Sequence, residues 1–286
     1  MSTVVLRIAA FSDGRNGGNP AGVWIGDALP PAATMQAIAA DVGFSETAFA
    51  APVGGAAPED GAWRVRYFSP ALEVPFCGHA TIALGAALAL QHGDQTFRLK
   101  LNHADISVAG RREGETIAAA LQSPPTRSAA MDPALQQALL ELFDYATGDL
   151  DLNIPPARIH GGADHAVLAL KERKALARMR YDFARGRALM EEAGLITIAL
   201  VAAENPQLFH VRNAFAAGGV VEDPATGAAA AAFAGYLRDI GWPHQGVIDI
   251  VQGEDMGMRS LIRAEIDTPI GGSIRVSGTA RIMDKG

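Results

Sequence analysis

The chain has 286 residues, enough for two domains of roughly 100–150 residues each, and 49 % hydrophobic against 19 % charged residues is the balance of a globular protein. The formal net charge is −7 and the twenty arginines are scattered among only four lysines, so no basic face for nucleic acid is expected. A single cysteine, Cys77, excludes an internal disulfide and a cysteine-based zinc cluster. No apolar run reaches the 18 or so residues that would cross a bilayer. Arg7 interrupts the N-terminal apolar stretch too early for a signal peptide, and the chain reads as cytoplasmic.

In chain order, Val4 to Phe11 reads as a strand, followed by a Gly-rich turn and a second strand from Ala21 to Ile25. Pro30-Pro31 opens a helix through Met35, Ile38 and Val42 that stops at Gly43. Phe44 to Phe49 returns to extended structure, Gly54 to Gly61 reads as a surface loop, and Trp63 to Phe68 alternates as a strand. A helix is predicted over 79–91, then strands over 96–101, 105–109 and 116–122. Ser123-Pro124-Pro125 breaks the pattern and places a domain boundary after residue 122. The second half predicts a helix from Asp132-Pro133 to Phe143, a polar loop over 148–156, strands over 157–160 and 165–170, and a helix over 183–192. Strands over 195–202 and 207–213, an Ala-rich helix, and strands over 247–252, 260–265 and 273–277 complete the pass. Runs of strands with one long buried helix per half indicate an α+β fold.

The central stretch is Glu222-Asp223-Pro224-Ala225-Thr226-Gly227-Ala228, a polar turn opening an apolar helix to Leu237. Pro224 suits a first helical turn, with Asp223 as N-cap. The helix has almost no polar face and is predicted to be buried. Its free N–H groups favour an anion, most simply a carboxylate or phosphate. An ordinary capped core helix is the plain alternative. The stretch from Phe68 to Leu88 has the same layout. Setting Phe68 against Phe215 places His79 opposite Thr226, which predicts two similar domains, each presenting a buried helix start to a shared cleft.

Dinucleotide, P-loop, zinc-protease and nucleophile-elbow motifs are missing, and the histidines are not spaced as a metal cluster. What remains is proton chemistry with neither cofactor nor metal. Glu46, between Phe44 and Phe49, is the best acid/base; a carboxylate among such neighbours should have its pKa raised by desolvation. An exposed glutamate on a strand edge is the alternative. His79 could orient a substrate, or be a satisfied structural histidine. Cys77 is either a thiolate base at a helix start or a small buried packing residue.

The blocks Gly18-Asn19-Pro20-Ala21-Gly22-Val23, Phe44-Ser45-Glu46-Thr47-Ala48-Phe49, Phe68-Ser69-Pro70 with Glu73-Val74-Pro75-Phe76-Cys77-Gly78-His79, and Glu222-Asp223-Pro224-Ala225-Thr226-Gly227 together resemble the PhzF-like isomerase family of phenazine biosynthesis. The resemblance implies a diaminopimelate-epimerase-like fold: two similar domains, each a mixed sheet rolled around a central helix, over 1–122 and 123–286. The site then lies in the inter-domain cleft, and a C-terminal strand near 278–286 returns to the first domain. It implies Glu46 as general acid/base, with His79 and Asp223 binding and orienting a small carboxylate substrate. It also implies isomerisation of the trans-2,3-dihydro-3-hydroxyanthranilate type, and a homodimer. The amides around Gly78–Ala80 and Thr226–Ala228, including Gly227, would hold the carboxylate. Asn19 and Cys77 are further candidates. Phenazine-pathway members carry a substrate-contacting serine where this chain has Ala228, so that contact is missing. The related epimerases use two facing thiols, which one cysteine cannot supply within a protomer. An amino-acid or hydroxy-acid epimerase using Cys77 or Asp223 as the other base, and a non-catalytic small-molecule binder, are the competing readings.

Overall fold

The computed structural model describes residues 4–55, 61–114, 116–266 and 269–283. The chain divides into one unit of Met1–Gln122 with Ser277–Gly286 and a second of Ser123–Val276.

In the first unit, β1 (Leu6–Ser12) and β2 (Asn19–Ile25) pair antiparallel. Helix α1 (Ala32–Val42) leads to β3 (Thr47–Pro52), which lies parallel to β2. β4 (Trp63–Phe68) pairs antiparallel with β3 and carries the two-residue β5 (Glu73–Val74). Helix α2 (Gly78–His92) follows, then β6 (Gln95–Lys100), parallel to β4, and the antiparallel β7 (Asp105–Glu113) and β8 (Thr116–Gln122).

The second unit begins with β9 (Arg127–Ala130) and α3 (Pro133–Phe143). β10 (Ala157–His160) pairs antiparallel with β9 and with β11 (Asp164–Ala169). Helices α4 (Arg173–Ala177) and α5 (Phe183–Ala193) lead to β12 (Thr197–Asn205), parallel to β11. β13 (Leu208–Ala214) is antiparallel to β12 and carries the two-residue β14 (Glu222–Asp223). Helix α6 (Gly227–Asp239) precedes β15 (Val247–Gln252), parallel to β13, and β16 (Ser260–Glu265), antiparallel to β15. The last strand, β17 (Arg275–Ile282), enters the first unit at Ser277 and pairs with β1 and β8.

With β17 in place the first sheet runs β1-β2-β3-β4-β6-β7-β8-β17 and back to β1, rolled shut around α2. α2 touches β1, β2, β3, β6, β7 and β8 and is buried from Gly78 to Ala89. A helix of Ala, Gly, Leu and Ile with no polar face can exist only in such a setting. Small residues set the approach: a Cβ at Gly110 would lie 2.3 Å from the Gly85 carbonyl oxygen. α6 is buried likewise from Ala229 to Leu237 and touches β9, β10, β11 and β16. The outer sheet faces carry second layers. Met35 and Ala39 of α1 pack on Trp24, Phe49 and Phe68, while Ala166, Leu168, Ile198 and Leu200 pack with residues of α3 to α5.

The two units share one connectivity, β1 to β7 corresponding to β10 to β16. The common bridge Phe68↔Glu73 and Ala214↔Glu222 aligns Glu73-Val74-Pro75-Phe76-Cys77-Gly78 with Glu222-Asp223-Pro224-Ala225-Thr226-Gly227. This corrects the pairing of Phe68 with Phe215. Cys77, not His79, stands opposite Thr226, and His79 stands opposite Ala228. The preceding loops differ, Ser69 to Leu72 against Phe215 to Val221, so an ungapped match slips by two residues.

Asp223 is not the N-cap of α6. Its backbone pairs with Asn213 in β14, and the cap position falls to Thr226. Asp132 does cap α3, accepting from the N–H groups of Ala134 and Leu135. Gly43 ends α1 in the left-handed conformation, as expected. β9 and α4 lack a sequence signal because each is short. The last strand runs on to Ile282 because β1 and β8 supply its partners; 284–286 lie outside the described residues, as do 56–60 of the expected surface loop.

His165 of β11 is fully buried, with Nδ1 2.7 Å from Thr197 Oγ1 and Nε2 without a partner among the described residues. Burial pushes its pKa down to about 4, against the opposing pull of Asp164. The unfolded chain therefore binds a proton that the folded chain refuses. Its contribution is fully present above about pH 6.5 and is lost as the pH falls from there to about 4, of order 3 kcal/mol in total. Urea unfolding across this window should show stability falling on acidification, with a shallower slope in His165→Asn. An unchanged slope in that variant would remove His165 from the account.

Candidate active site

Glu46 is the last residue before β3, and its backbone carbonyl accepts the Gly22 N–H at 3.1 Å. Phe49 faces the outer layer of α1, so alternation turns Glu46 to the inner face with α2. The start of α2 supplies its neighbours. Glu46 Oε2 is 3.5 Å from His79 Nε2, and their side chains are only 12 % and 5 % exposed. Ser45 Oγ lies 3.4 Å from the same nitrogen. Cys77 Sγ, at the N-cap, lies 3.3 Å from His79 Nδ1.

These contacts fix protonation. Burial lowers the pKa of His79, only partly offset by the Glu46 carboxylate, so the ring is neutral and carries one N–H. A carboxylate can only accept, so that hydrogen belongs on Nε2. Nδ1 is then the acceptor, and Cys77 must donate to it as a thiol. The neutral imidazole thus stands between the two groups, with Glu46 on its Nε2 side and Cys77 on its Nδ1 side.

In the second unit, Asp223 is buried and tied to the α6 start. The Thr226 hydroxyl donates to Asp223 Oδ2, and Asn213 Nδ2 donates to Thr226 Oγ1. Gln252 Nε2 donates to the Asp223 carbonyl at 2.7 Å and to Thr226 Oγ1 at 3.0 Å, while the Thr226 N–H reaches Gln252 Oε1 at 3.3 Å. Both polar groups of Thr226 are thus engaged within the fold. The first intrahelical bonds of α2 and α6 are made by Thr81 and Ala230. The amides of Gly78 to Ala80 and Gly227 to Ala229 precede them, as at any helix start.

The structure thus groups Glu46, Cys77, Gly78, His79 and Ala80 at one helix start and Asp223, Thr226, Gly227 and Ala228 at the other. Asn19 lies buried at the start of β2, opposite Ala10. Register and facing extend the alignment: Glu46 corresponds to Thr197, Cys77 to Thr226, His79 to Ala228, and Val74 to Asp223. Among these positions only the first unit has a carboxylate, a thiol and an imidazole together, and only the second has a carboxylate, Asp223, at the second position of the bridge strand, where the first has Val74.

Sequence reasoning overlooked the anchor that both units share. Arg66 of β4 grips Glu73 through Nε and Nη2 at 2.7 and 2.5 Å. Arg212, at the same position of β13, grips Glu222 through Nε at 3.1 Å and Nη2 at 2.5 Å. The Arg66 bonds hold the Glu73 carboxyl below its usual range. Each pair pins the short strand just ahead of a helix start. Arg–Tyr–Phe against Arg–Asn–Ala, each followed by Glu-x-Pro-x-x-Gly, was the signal available.

Residues 8–286 match the family of phenazine biosynthesis-like proteins. The chain is 33 % identical over 268 residues to trans-2,3-dihydro-3-hydroxyanthranilate isomerase of Pseudomonas fluorescens, covering 91 % of this chain and 89 % of that one. Its fold superposes on a predicted epimerase of Pseudomonas aeruginosa with a TM-score of 0.85 at 25 % identity, covering 99 % and 98 % of the two chains. A probable proline racemase of Agrobacterium radiobacter aligns with a TM-score of 0.65 at 10 % identity over 99 % and 92 %, which shows the fold alone.

The paired clamps differ in burial. The Glu222 side chain is 4 % exposed against 26 % for Glu73. Removing one partner of a buried pair strands the other charge and costs about 3–5 kcal/mol, whereas a partly solvated pair is worth about 1 kcal/mol or less. Urea midpoints should therefore drop much further for Glu222→Ala than for Glu73→Ala. Equal losses, or the reverse order, would contradict this account of the clamps.

Proposed function

Since this chain belongs to the phenazine biosynthesis-like (PhzF) family and is an isomerase by its curated relatives, we propose that it moves one proton within a small carboxylate-bearing substrate, with Glu46 as the single acid/base. The observation that carries this reading is the asymmetry of the duplicated scaffold. Glu46 sits against a neutral His79 in one unit, and the corresponding positions of the other are Thr197 and Ala228, which cannot serve as a base.

Glu46 removes a proton from one carbon and returns it to another. Its carboxylate on a flexible stem allows the transfer between two nearby atoms. The His79 N–H steadies the carboxylate while it is charged and is released as it becomes neutral. Asp223 is the candidate orienting group of the second unit, and the amides at the start of each central helix are candidates to hold a carboxylate. Substrates of the trans-2,3-dihydro-3-hydroxyanthranilate type are the reference chemistry. Ala228, which offers no side-chain hydrogen bond, favours a substrate with one polar group fewer at that point. Against a two-base epimerase stands Thr226, which occupies the Cys77-equivalent position and has its hydroxyl engaged by Asp223, Asn213 and Gln252.

The test is turnover in D₂O of a panel of small unsaturated carboxylates, read by NMR and mass spectrometry. The expected result is incorporation of deuterium by the wild type. General acid/base catalysis contributes roughly 10²–10⁴ in rate, so Glu46→Gln should lose about that factor while still binding substrate. Cys77→Ala should retain most of the rate. An active Glu46→Gln beside a folded but inactive Cys77→Ala would transfer the role to the thiol.

A further inference from the structure

The sequence shows no metal-ligand spacing, because Glu46 lies far ahead of Cys77 and His79 in the chain. The fold nevertheless brings one donor atom from each to within 4.8 Å of the others. From this juxtaposition we infer that Glu46, Cys77 and His79 form a binding site for a zinc ion.

The donors are a thiol, an imidazole and a carboxylate, the set that a borderline-soft divalent ion takes from proteins. Tetrahedral zinc, with bonds of about 2.3 Å to sulfur and 2.0–2.2 Å to nitrogen and oxygen, needs donor–donor edges of roughly 3.3–3.6 Å. The edge between Cys77 Sγ and His79 Nδ1 is already 3.3 Å. Both residues are fixed by the first turn of α2, so this edge is preformed. Glu46 Oε2 lies 3.5 Å from Nε2, on the other side of the ring, and a turn of its side chain has to supply the third vertex. The fourth vertex stays open for water or a small anion.

The ring is ready for this role. With its hydrogen on Nε2, His79 presents the lone pair of Nδ1 beside the thiol, and Ser45 Oγ at 3.4 Å accepts the Nε2–H when the carboxylate leaves. Such an outer partner fixes the tautomer of a ligating histidine. The balance is simple: the Cys77 thiol releases one proton to solvent, the thiolate, imidazole and carboxylate each give one lone pair, and no redox change occurs.

The inference stands on the donor geometry and not on the isomerase reading, and its test needs no substrate. Reduced protein is titrated with Co²⁺, a spectroscopic stand-in for Zn²⁺, and with Zn²⁺ in competition. The expected result is a near-ultraviolet thiolate-to-cobalt charge-transfer band that saturates at one ion per chain and is displaced by Zn²⁺. Cys77→Ser should abolish the band. Loss of an outer-shell partner typically costs 10–100-fold in affinity, so Glu46→Gln and His79→Asn, which remove ligands, should each weaken binding by at least roughly 10-fold. Circular dichroism checks each fold, and Glu46→Gln alone decides if His79→Asn does not fold. No thiolate band at one equivalent, or a band with unchanged affinity in Glu46→Gln, would overturn the inference.

Discussion

Everything in this molecule depends on burying a helix that has no polar side. α2 and α6 are built from Ala, Gly and Leu, and neither could persist in water. Each is made tolerable by strands that pack around it, and small residues permit the close contact, as where Gly85 meets Gly110. The consequence for function is positional. A helix packed on most of its circumference can meet other groups through its backbone only at its ends, and the N-terminal turn is the end that offers N–H groups. The Arg66–Glu73 and Arg212–Glu222 pairs fix the chain just ahead of that turn in both units. The candidate site groups Cys77 and His79 in one unit and Asp223 in the other sit within a few residues of a clamp.

Duplication supplied the frame twice, and divergence then divided the chemistry. At the helix start of the first unit stand a thiol and a histidine with a carboxylate from β3 against them. The second unit has Thr226 and Ala228 there, and Thr197 in place of Glu46. Thr197 is turned to structure by its bond to the buried His165, as Thr226 is by Asp223, Asn213 and Gln252. At the positions corresponding to Glu46, Cys77 and His79 the second unit has no ionisable side chain; its carboxylate, Asp223, stands instead where the first unit has Val74. Within the first unit, His79 stands between the two candidates that remain, with Nε2 toward Glu46 and Nδ1 toward Cys77.

Much of this was legible in the chain. The apolar character of the two central helices predicts their burial, Ser123-Pro124-Pro125 marks where the first run of strands ends, and the block around Glu46 stands out as a carboxylate among aromatics. Two things were hidden. The internal match was obscured because the loops before β5 and β14 differ in length; aligned on Glu-x-Pro-x-x-Gly rather than on phenylalanine, it would have paired Cys77 with Thr226. Asp223 was read as a cap because Asp before Pro is a strong helix-start signal. The competing interaction, pairing of its backbone with Asn213, is long-range and leaves no local trace. The convergence of Glu46 with Cys77 and His79 is of the same kind, set by the register of β3 with β4 and of β4 with β5 and not by spacing.

The central claim is that one carboxylate both takes and returns the proton. The most direct measurement uses a converted substrate carrying deuterium at the carbon that loses its proton, incubated in ordinary water, with the position of the label in the first product read by mass spectrometry and NMR. A single base returns part of the label it removed, so the account predicts deuterium at the receiving carbon in a measurable fraction of product molecules. Complete loss of the label at the earliest turnover, with solvent hydrogen alone at the receiving carbon, would mean that the hydrogen removed is not the one delivered and would contradict it.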